Sequence, residues 1–172
     1  GVDPATVGSP SLVDAIKANP VSSAATSLER RMLALRSAGQ SATTETTQLL
    51  ALVSHGQIGD ATLINDDDFG VLALAAVGST AAAISQSVQF IQSNQQSDGG
   101  FSSFVGGSSD VDSTGAALAA LLAGGGSAGS LDRGFAYLAA QQNDDGGYGV
   151  KHSLGSNAAS TSWALWAYHT AG

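Results

Sequence analysis

Four stretches rich in Ala and Leu, the strongest helix formers, each close on a glycine: Leu28 to Gly39, Asp67 to Gly78, Ser113 to Gly124 and Ser160 to Gly172. Each follows another helix-forming segment, short in the first half of the chain, where Ser11 to Ala18 and Thr46 to Ser54 fill that place. The pattern predicts four helical hairpins, or about eight helices. Asp112, Ser113 or Ser160 can accept hydrogen bonds from the free N–H groups of a first turn. Gly39, Gly78, Gly124 and Gly172 can take positive φ after the last turn. Asp98-Gly99-Gly100 and Asp145-Gly146-Gly147 are turn chemistry between the two helices of a hairpin. No run alternates apolar and polar residues with period two, so essentially no sheet is expected.

The hairpins repeat. Phe90-Ile91-Gln92-Ser93-Asn94-Gln95-Gln96-Ser97-Asp98-Gly99-Gly100-Phe101 matches Tyr137-Leu138-Ala139-Ala140-Gln141-Gln142-Asn143-Asp144-Asp145-Gly146-Gly147-Tyr148, with Gln95 and Gln142 set 47 residues apart. Ser113-Thr114-Gly115-Ala116-Ala117-Leu118 matches Ser160-Thr161-Ser162-Trp163-Ala164-Leu165 at the same offset. One offset across two separated blocks is a strong sign of duplication. A weaker copy begins at Asp67-Asp68-Phe69, and pairing Asp67 with Ser113 gives it an offset of 46.

Composition narrows the partners. The 172 residues suit one domain, residues 1–172, with a sizeable core. Six Lys plus Arg stand against fourteen Asp plus Glu, a formal net charge of −8. Such a surface repels phosphate backbones and anionic lipid, so neither nucleic acid nor a membrane surface is an expected partner. No apolar run is long enough to span a membrane. Cysteine is absent, which excludes disulfides and thiolate metal sites. Few Lys with much Ala, Ser, Gly, Thr and Gln fits an extracellular or cell-surface protein of a high-GC bacterium.

The unit aromatic-aliphatic-x-x-x-Gln-x-x-Asp-Gly-Gly-aromatic resembles the QW-type repeat of squalene cyclases, and also repeats of protein prenyltransferase β-subunits and related noncatalytic bacterial surface domains. Asn65-Asp66-Asp67-Asp68-Phe69-Gly70 and Asp110-Val111-Asp112-Ser113-Thr114 look like inner-helix starts of that superfamily. The resemblance runs from about Ser11 to Gly172 and is sharpest from Ser85 onward. It implies an all-α fold in which helices alternate between an outer and an inner ring of an α/α toroid. A closed ring of six hairpins at this spacing needs about 280 residues. Four hairpins form a partial toroid: an incomplete ring, a piece of a longer protein, or an oligomer sharing one ring. Gly1 to Gly8 reads like a linker following a helix. Exposed repeat ends call for a second copy or a further domain to cover them.

Class II terpene cyclases carry an Asp-x-Asp-Asp motif followed by Thr, whose middle Asp protonates an alkene or epoxide. By this resemblance Asp112 is the acid and Asp110 its partner, with Ser113 departing from the third acidic position. That chemistry needs a neutral carboxylic acid in an apolar pocket and aromatic faces for carbocations. Only ten aromatics are present, and Ser113 to Ala123 is nearly all Ala, Gly and Leu. The plainer role for Asp112 is a helix cap, with Asp110 in the preceding loop.

If all inner helices begin at one end, Asp66, Asp67, Asp68, Asp98, Asp110, Asp112, Asp144 and Asp145 form an acidic rim there. Oxygen-rich loops suit Ca²⁺, for which Asp66, Asp67 and Asp68 are the candidates, yet no EF-hand spacing is present. The helix macrodipole favours such carboxylates with no metal, so solvated caps and no resident cofactor are the expectation. Zinc of the prenyltransferase type needs a Cys ligand that this chain lacks, and His55, His152 and His169 lie far apart. Gly125-Gly126-Ser127-Ala128-Gly129 matches a nucleophile elbow in letters only, because it joins two helices. Trp163 and Trp166 share a helix face. With Phe69 and Tyr148 they are the candidate ligand-binding residues, against a plainer role in packing. The favoured expectation is a noncatalytic binding or structural domain. Its ligand would be small and apolar, isoprenoid-like or corrinoid-like, the latter by analogy with the helical ring of vitamin B12 carriers. A class II terpene cyclase-like fragment is the runner-up.

Overall fold

The computed structural model describes residues 2–172; Gly1, where the expected linker starts, lies outside them. Among the described residues the chain is all-α apart from one small hairpin. Its helices are α1 (Leu12–Ala18), α2 (Ala25–Ser37), α3 (Thr43–Leu50), α4 (Ile64–Ala76), α5 (Ala82–Ser93), α6 (Val111–Gly124), α7 (Ala128–Gln141) and α8 (Ala158–Ala171). Strands β1 (Val53–Ser54) and β2 (Gln57–Ile58) pair antiparallel between α3 and α4. The helix expected over Thr46 to Ser54 therefore stops at Leu50. His55 and Gly56, both at positive φ, turn the chain back and form the one sheet that the sequence did not predict.

Helix starts follow their caps. Ser11 and Asp14 form a capping box at α1. Asp110, not Asp112, caps α6 by accepting the Ser113 N–H at 2.8 Å, and Asn157 caps α8 by accepting the Ser160 N–H at 2.9 Å. The correction has a simple origin: the first helical residue is Val111, which puts Asp112 inside the first turn. Gly39, Gly78 and Gly172 have positive φ as expected. At the end of α6 that role passes to Gly125, while Gly124 stays helical against Val71 and Val88.

Helices α2, α4, α6 and α8 pack side by side in one row. Helices α1 and α3 pack on α2, α5 packs on α4 and α6, and α7 packs on α6. Three apolar clusters run along the molecule and pass from one to the next through shared helices. Leu28, Met32, Leu49, Ile58 and Leu74 form the first; Ile64, Val71, Ile91, Phe101 and Leu121 the second; Val111, Leu118, Tyr137, Leu138 and Tyr148 the third. No hairpin encloses an apolar interior alone, so burial comes from stacking on a neighbour.

The duplicated sequence blocks make the same hydrogen bonds. Gln95 Nε2 donates to the Gly99 carbonyl and Gln142 Nε2 to the Gly146 carbonyl, each at 2.8 Å. Asp98 and Asp145 each accept a backbone N–H, from Gly100 and Gly147, and a hydroxyl, from Ser109 and Ser156. The Phe101 N–H donates to Thr114 Oγ1 at 2.9 Å, and the Tyr148 N–H to Thr161 Oγ1 at 3.0 Å. Helices α4, α6 and α8 begin at Ile64, Val111 and Ala158, so the spacing is 47 throughout. The 46-residue offset is thus one residue short: Asp67 aligns with Thr114 and Thr161. It also does the same work, accepting the Ile58 N–H at 3.1 Å.

Candidate functional site

Val111 and Leu118 of α6 join Tyr137 and Leu138 of α7 in the third cluster. At 3.6 residues per turn, Asp112, Ala116, Ala119 and Ala123 fall on one side of α6, about a third of a turn round from Val111 and Leu118. The 47-residue register places Asn65, Phe69, Leu72 and Ala76 of α4 at matching positions, and Ala159, Trp163, Trp166 and Thr170 of α8.

Three of the four expected ligand-binding residues meet here. Phe69 and Trp163 pack edge to face, with ring centroids 5.8 Å apart at an interplanar angle of 81°. Trp163 and Trp166 are tilted at 37°, with centroids 5.4 Å apart. Phe69 stands on α4 and both Trp on α8, so the rings converge across α6. Ala116 and Ala119 of α6 are buried, and Phe69 packs against the second apolar cluster, to which Ala119 belongs. Gly115 admits the backbone of α8, since a Cβ there would come within 2.7 Å of the Trp163 carbonyl oxygen. Phe69 and Trp163 remain half-buried, and Trp166 is 37% exposed. Tyr148 is not part of this group. It is 3% exposed and belongs to the third apolar cluster, with its N–H held by Thr161.

Asp112 lies on α6 one turn before Gly115 and Ala116. It is half-buried, and its Oδ1 is buried without a hydrogen-bond partner. Asp110 is committed elsewhere: its Oδ1 takes the Ser113 N–H and its Oδ2 the Ser113 hydroxyl at 2.9 Å. Ser113, the departure from the cyclase pattern, thus occupies the carboxylate expected to partner Asp112. Surface depressions are found elsewhere. One is lined by Arg36, Gln40, Thr43 and Val77 and another by Asp98, Ser109, Tyr137 and Lys151. The aromatic group, with Trp166 exposed, forms a surface platform.

The acidic rim is corrected most. Asp98, Asp144 and Asp145 are exposed, but Asp66, Asp67 and Asp68 are buried at 6, 0 and 1% exposure. Asp66 accepts from the Asp60 N–H at 3.0 Å and the Thr26 hydroxyl at 3.2 Å. Asp68 has no hydrogen-bond partner on either oxygen. Glu29 of α2, missed in the sequence, is also fully buried with both oxygens unpartnered. Among the described residues no three His, Cys, Asp or Glu side chains are grouped to hold a metal. Burial, reinforced by Asp66 and Asp67, pushes Glu29 up to about 9. Burial raises Asp67 to about 6 against the opposing pull of Ser87 and the Ile58 N–H, although Ser87 Oγ forms no hydrogen bond of good geometry. Asp68 is raised well above its ordinary value by burial and then by Asp67. A run of three Asp looks solvated in a sequence; only the 47-residue register, which turns Asp67 into a counterpart of Thr114, could have revealed it as interior.

No helix among the described residues is long and apolar enough to cross a membrane. No family model matches this sequence, and no curated protein matches it.

Proposed function

We propose that this chain is a noncatalytic ligand-binding domain built of toroid-type hairpins, akin to the squalene cyclase and prenyltransferase repeats that its sequence resembles. The observation carrying this reading is the convergence of Phe69, Trp163 and Trp166 across the helix row. Half-exposed aromatic rings at that position form a stacking surface. Cyclisation of an alkene is less well supported. It requires a water-excluding pocket around the acid, whereas the platform is open and Asp110 is bound to Ser113. Secretion to a bacterial cell surface remains the localisation that the composition favours.

The far edge of α8 supports a covering partner. Leu165 and Tyr168 are 59 and 37% exposed, whereas their counterparts on α6, Leu118 and Leu121, are fully buried. A second copy or a further domain on that edge would bury them as α6 is buried.

The two Trp of the chain both belong to the platform, so intrinsic fluorescence reads this site alone. Titration with an isoprenoid, a corrinoid and planar aromatics is expected to give a saturable emission change with at least one of them. That change should be lost in Trp163→Leu while helical circular dichroism is kept. A correctly folded protein that responds to none of them would overturn the binding reading in favour of a structural spacer.

A further inference from the structure

Resting on the reading of the far α8 edge as a covered surface, we infer that its occupant is a second copy of this chain, docked α8 against α8 as a two-fold pair. The register of the helix row, the closure of its other end and the charge of α8 lead to this partner.

The four helices of the row are equivalent residue for residue. Helices α2 and α4 begin at Ala25 and Ile64 and close with the same bond. After a glycine at positive φ, the Gln40 N–H donates to the Leu35 carbonyl and the Ser79 N–H to the Leu74 carbonyl. The Gly126 N–H donates to the Leu121 carbonyl in the same way. Leu35, Leu74 and Leu121 therefore hold one position, and Tyr168 is its fourth member. One turn earlier stand Met32, Val71, Leu118 and Leu165. On α2, α4 and α6 all six of these residues are buried, whereas on α8 Leu165 is 59% exposed and Tyr168 37%. A further turn back, Glu29, Asp68 and Gly115 are buried and Ser162 is exposed. Gly115 shows what this position does: the backbone of α8 crosses it so closely that a Cβ has no room. Helix α8 thus bears, uncovered, the edge by which α6 receives its neighbour, with a small serine where a neighbouring backbone would pass.

The other end of the row is closed. Gly70, Ala117 and Ala164 hold equivalent buried places on α4, α6 and α8, and on α2 that place is taken by Arg31. Its guanidinium donates to the carbonyls of Ile16 and Asn19 at the end of α1, at 2.6 and 2.7 Å, and pairs with Glu45 of α3 at 2.7 Å. These bonds hold α1 and α3 over the leading side of α2, so no α8 from another copy can add there. A chain with one open edge pairs with itself about a two-fold axis and stops at two copies, instead of stacking head to tail into a filament.

Charge favours the same partner. Each copy has a formal net charge of −8, so two copies repel wherever carboxylates line the approach. Helix α8 contains no Asp, Glu, Lys or Arg. The exposed Asp132, Asp144 and Asp145 of the last hairpin stand on α7 and in the loop that follows it. The α8 edge therefore lets two acidic chains meet without opposing like charges, and a basic or acidic partner would find nothing on it to pair with.

Sedimentation velocity of the ligand-free chain over a range of concentrations is the test. A reversible dimer is expected, weakened at least about tenfold by Leu165→Glu with helical circular dichroism unchanged. The chain has no cysteine, so Ser162→Cys, Leu165→Cys and His169→Cys each place a single thiol on the edge. A two-fold pair brings such a residue next to its own copy. At least one of the three should give a disulfide-linked dimer on mild oxidation, while Ser85→Cys, exposed on α5, should not. A dimer indifferent to Leu165→Glu, or three thiols that all fail to link, would overturn the α8 pairing. A monomer at every concentration would overturn the second copy as occupant and leave the edge to a different domain. No ligand enters either measurement, so these outcomes are independent of the fluorescence titration of the aromatic site.

Discussion

Phe69 and Trp163 touch edge to face although they stand on α4 and α8, with α6 between them. The contact links the two ends of a three-helix span. Phe69→Ala removes it, along with the packing of Phe69 on the second apolar cluster. Because Phe69 is only half-buried, the expected cost is about 1–2 kcal/mol. Tryptophan emission should shift to the red as water reaches Trp163. Urea melts followed by fluorescence and by circular dichroism check both effects.

Gly115 tests how tightly α6 and α8 are joined. An Ala there would press on the Trp163 backbone, which cannot swing aside as a side chain can. Gly115→Ala should destabilise by about 1–3 kcal/mol. Gly129→Ala on α7, where nothing lies within 4 Å of the new methyl, is the control. It should be neutral or stabilising by up to about 1 kcal/mol, because Ala is the better helix former. A Gly115→Ala variant as stable as the parent would show that the seam has slack.

Thr114 and Thr161 should behave as one device used twice. Replacing either by Val keeps the shape but leaves the amide of Phe101 or of Tyr148 buried without an acceptor. Each loss should cost about 1–3 kcal/mol, with Ser restoring most of it. The two sites lie in successive hairpins with different partners, so the double variant should lose close to the sum. Hydrogen exchange at the Phe101 and Tyr148 amides reads the effect directly.

Glu29 predicts the pH dependence. Its ordinary value is 4.5 and its folded value about 9, so the folded protein keeps a proton that the unfolded chain gives up. The stability tied to that proton is fully present below pH about 4.5 and is lost as pH rises toward about 9. Asp67, raised to about 6 from 3.8, adds the same trend over a lower window. Glu29→Gln cannot ionise and should flatten the curve. Near pH 9 it should gain stability on the order of 3 kcal/mol over the parent, while near pH 4 the two should agree closely. Thermal melts across this range decide it, and a parent no less stable at pH 9 than at pH 5 would remove the argument.

The helices were readable because Ala–Leu runs and turn glycines agree on where they start and stop. Their pairing was not: α3 and α7 pack on the helices before them, α2 and α6, in place of α4 and α8. The exact register was not. Asp67-Asp68 looks like Asp112-Ser113, yet side chains of different chemistry, Asp67 and Thr114, do one job, so letter matching slipped by one residue. Caps were missed for a related reason: Asp110 and Asp112 are equally good on composition, and only the first helical residue separates them. Phe69, Trp163 and Trp166 could be named as aromatics of interest, but their meeting depends on how three helices stack. Tyr148, equally aromatic, sits on the loop side and turns into the third apolar cluster. The burial of Glu29 and Asp68 went against every compositional signal, since charged side chains are rarely interior unless paired.

Both indoles ride on the final helix, so the molecule carries its optical label at one edge. In a quasi-one-dimensional stack, units far from that edge can open unseen. Fluorescence then reports the fraying of α8 from α6, while circular dichroism reports the whole array. Divergence of the two melting curves would measure how far cooperativity extends along the hairpins, with no added dye.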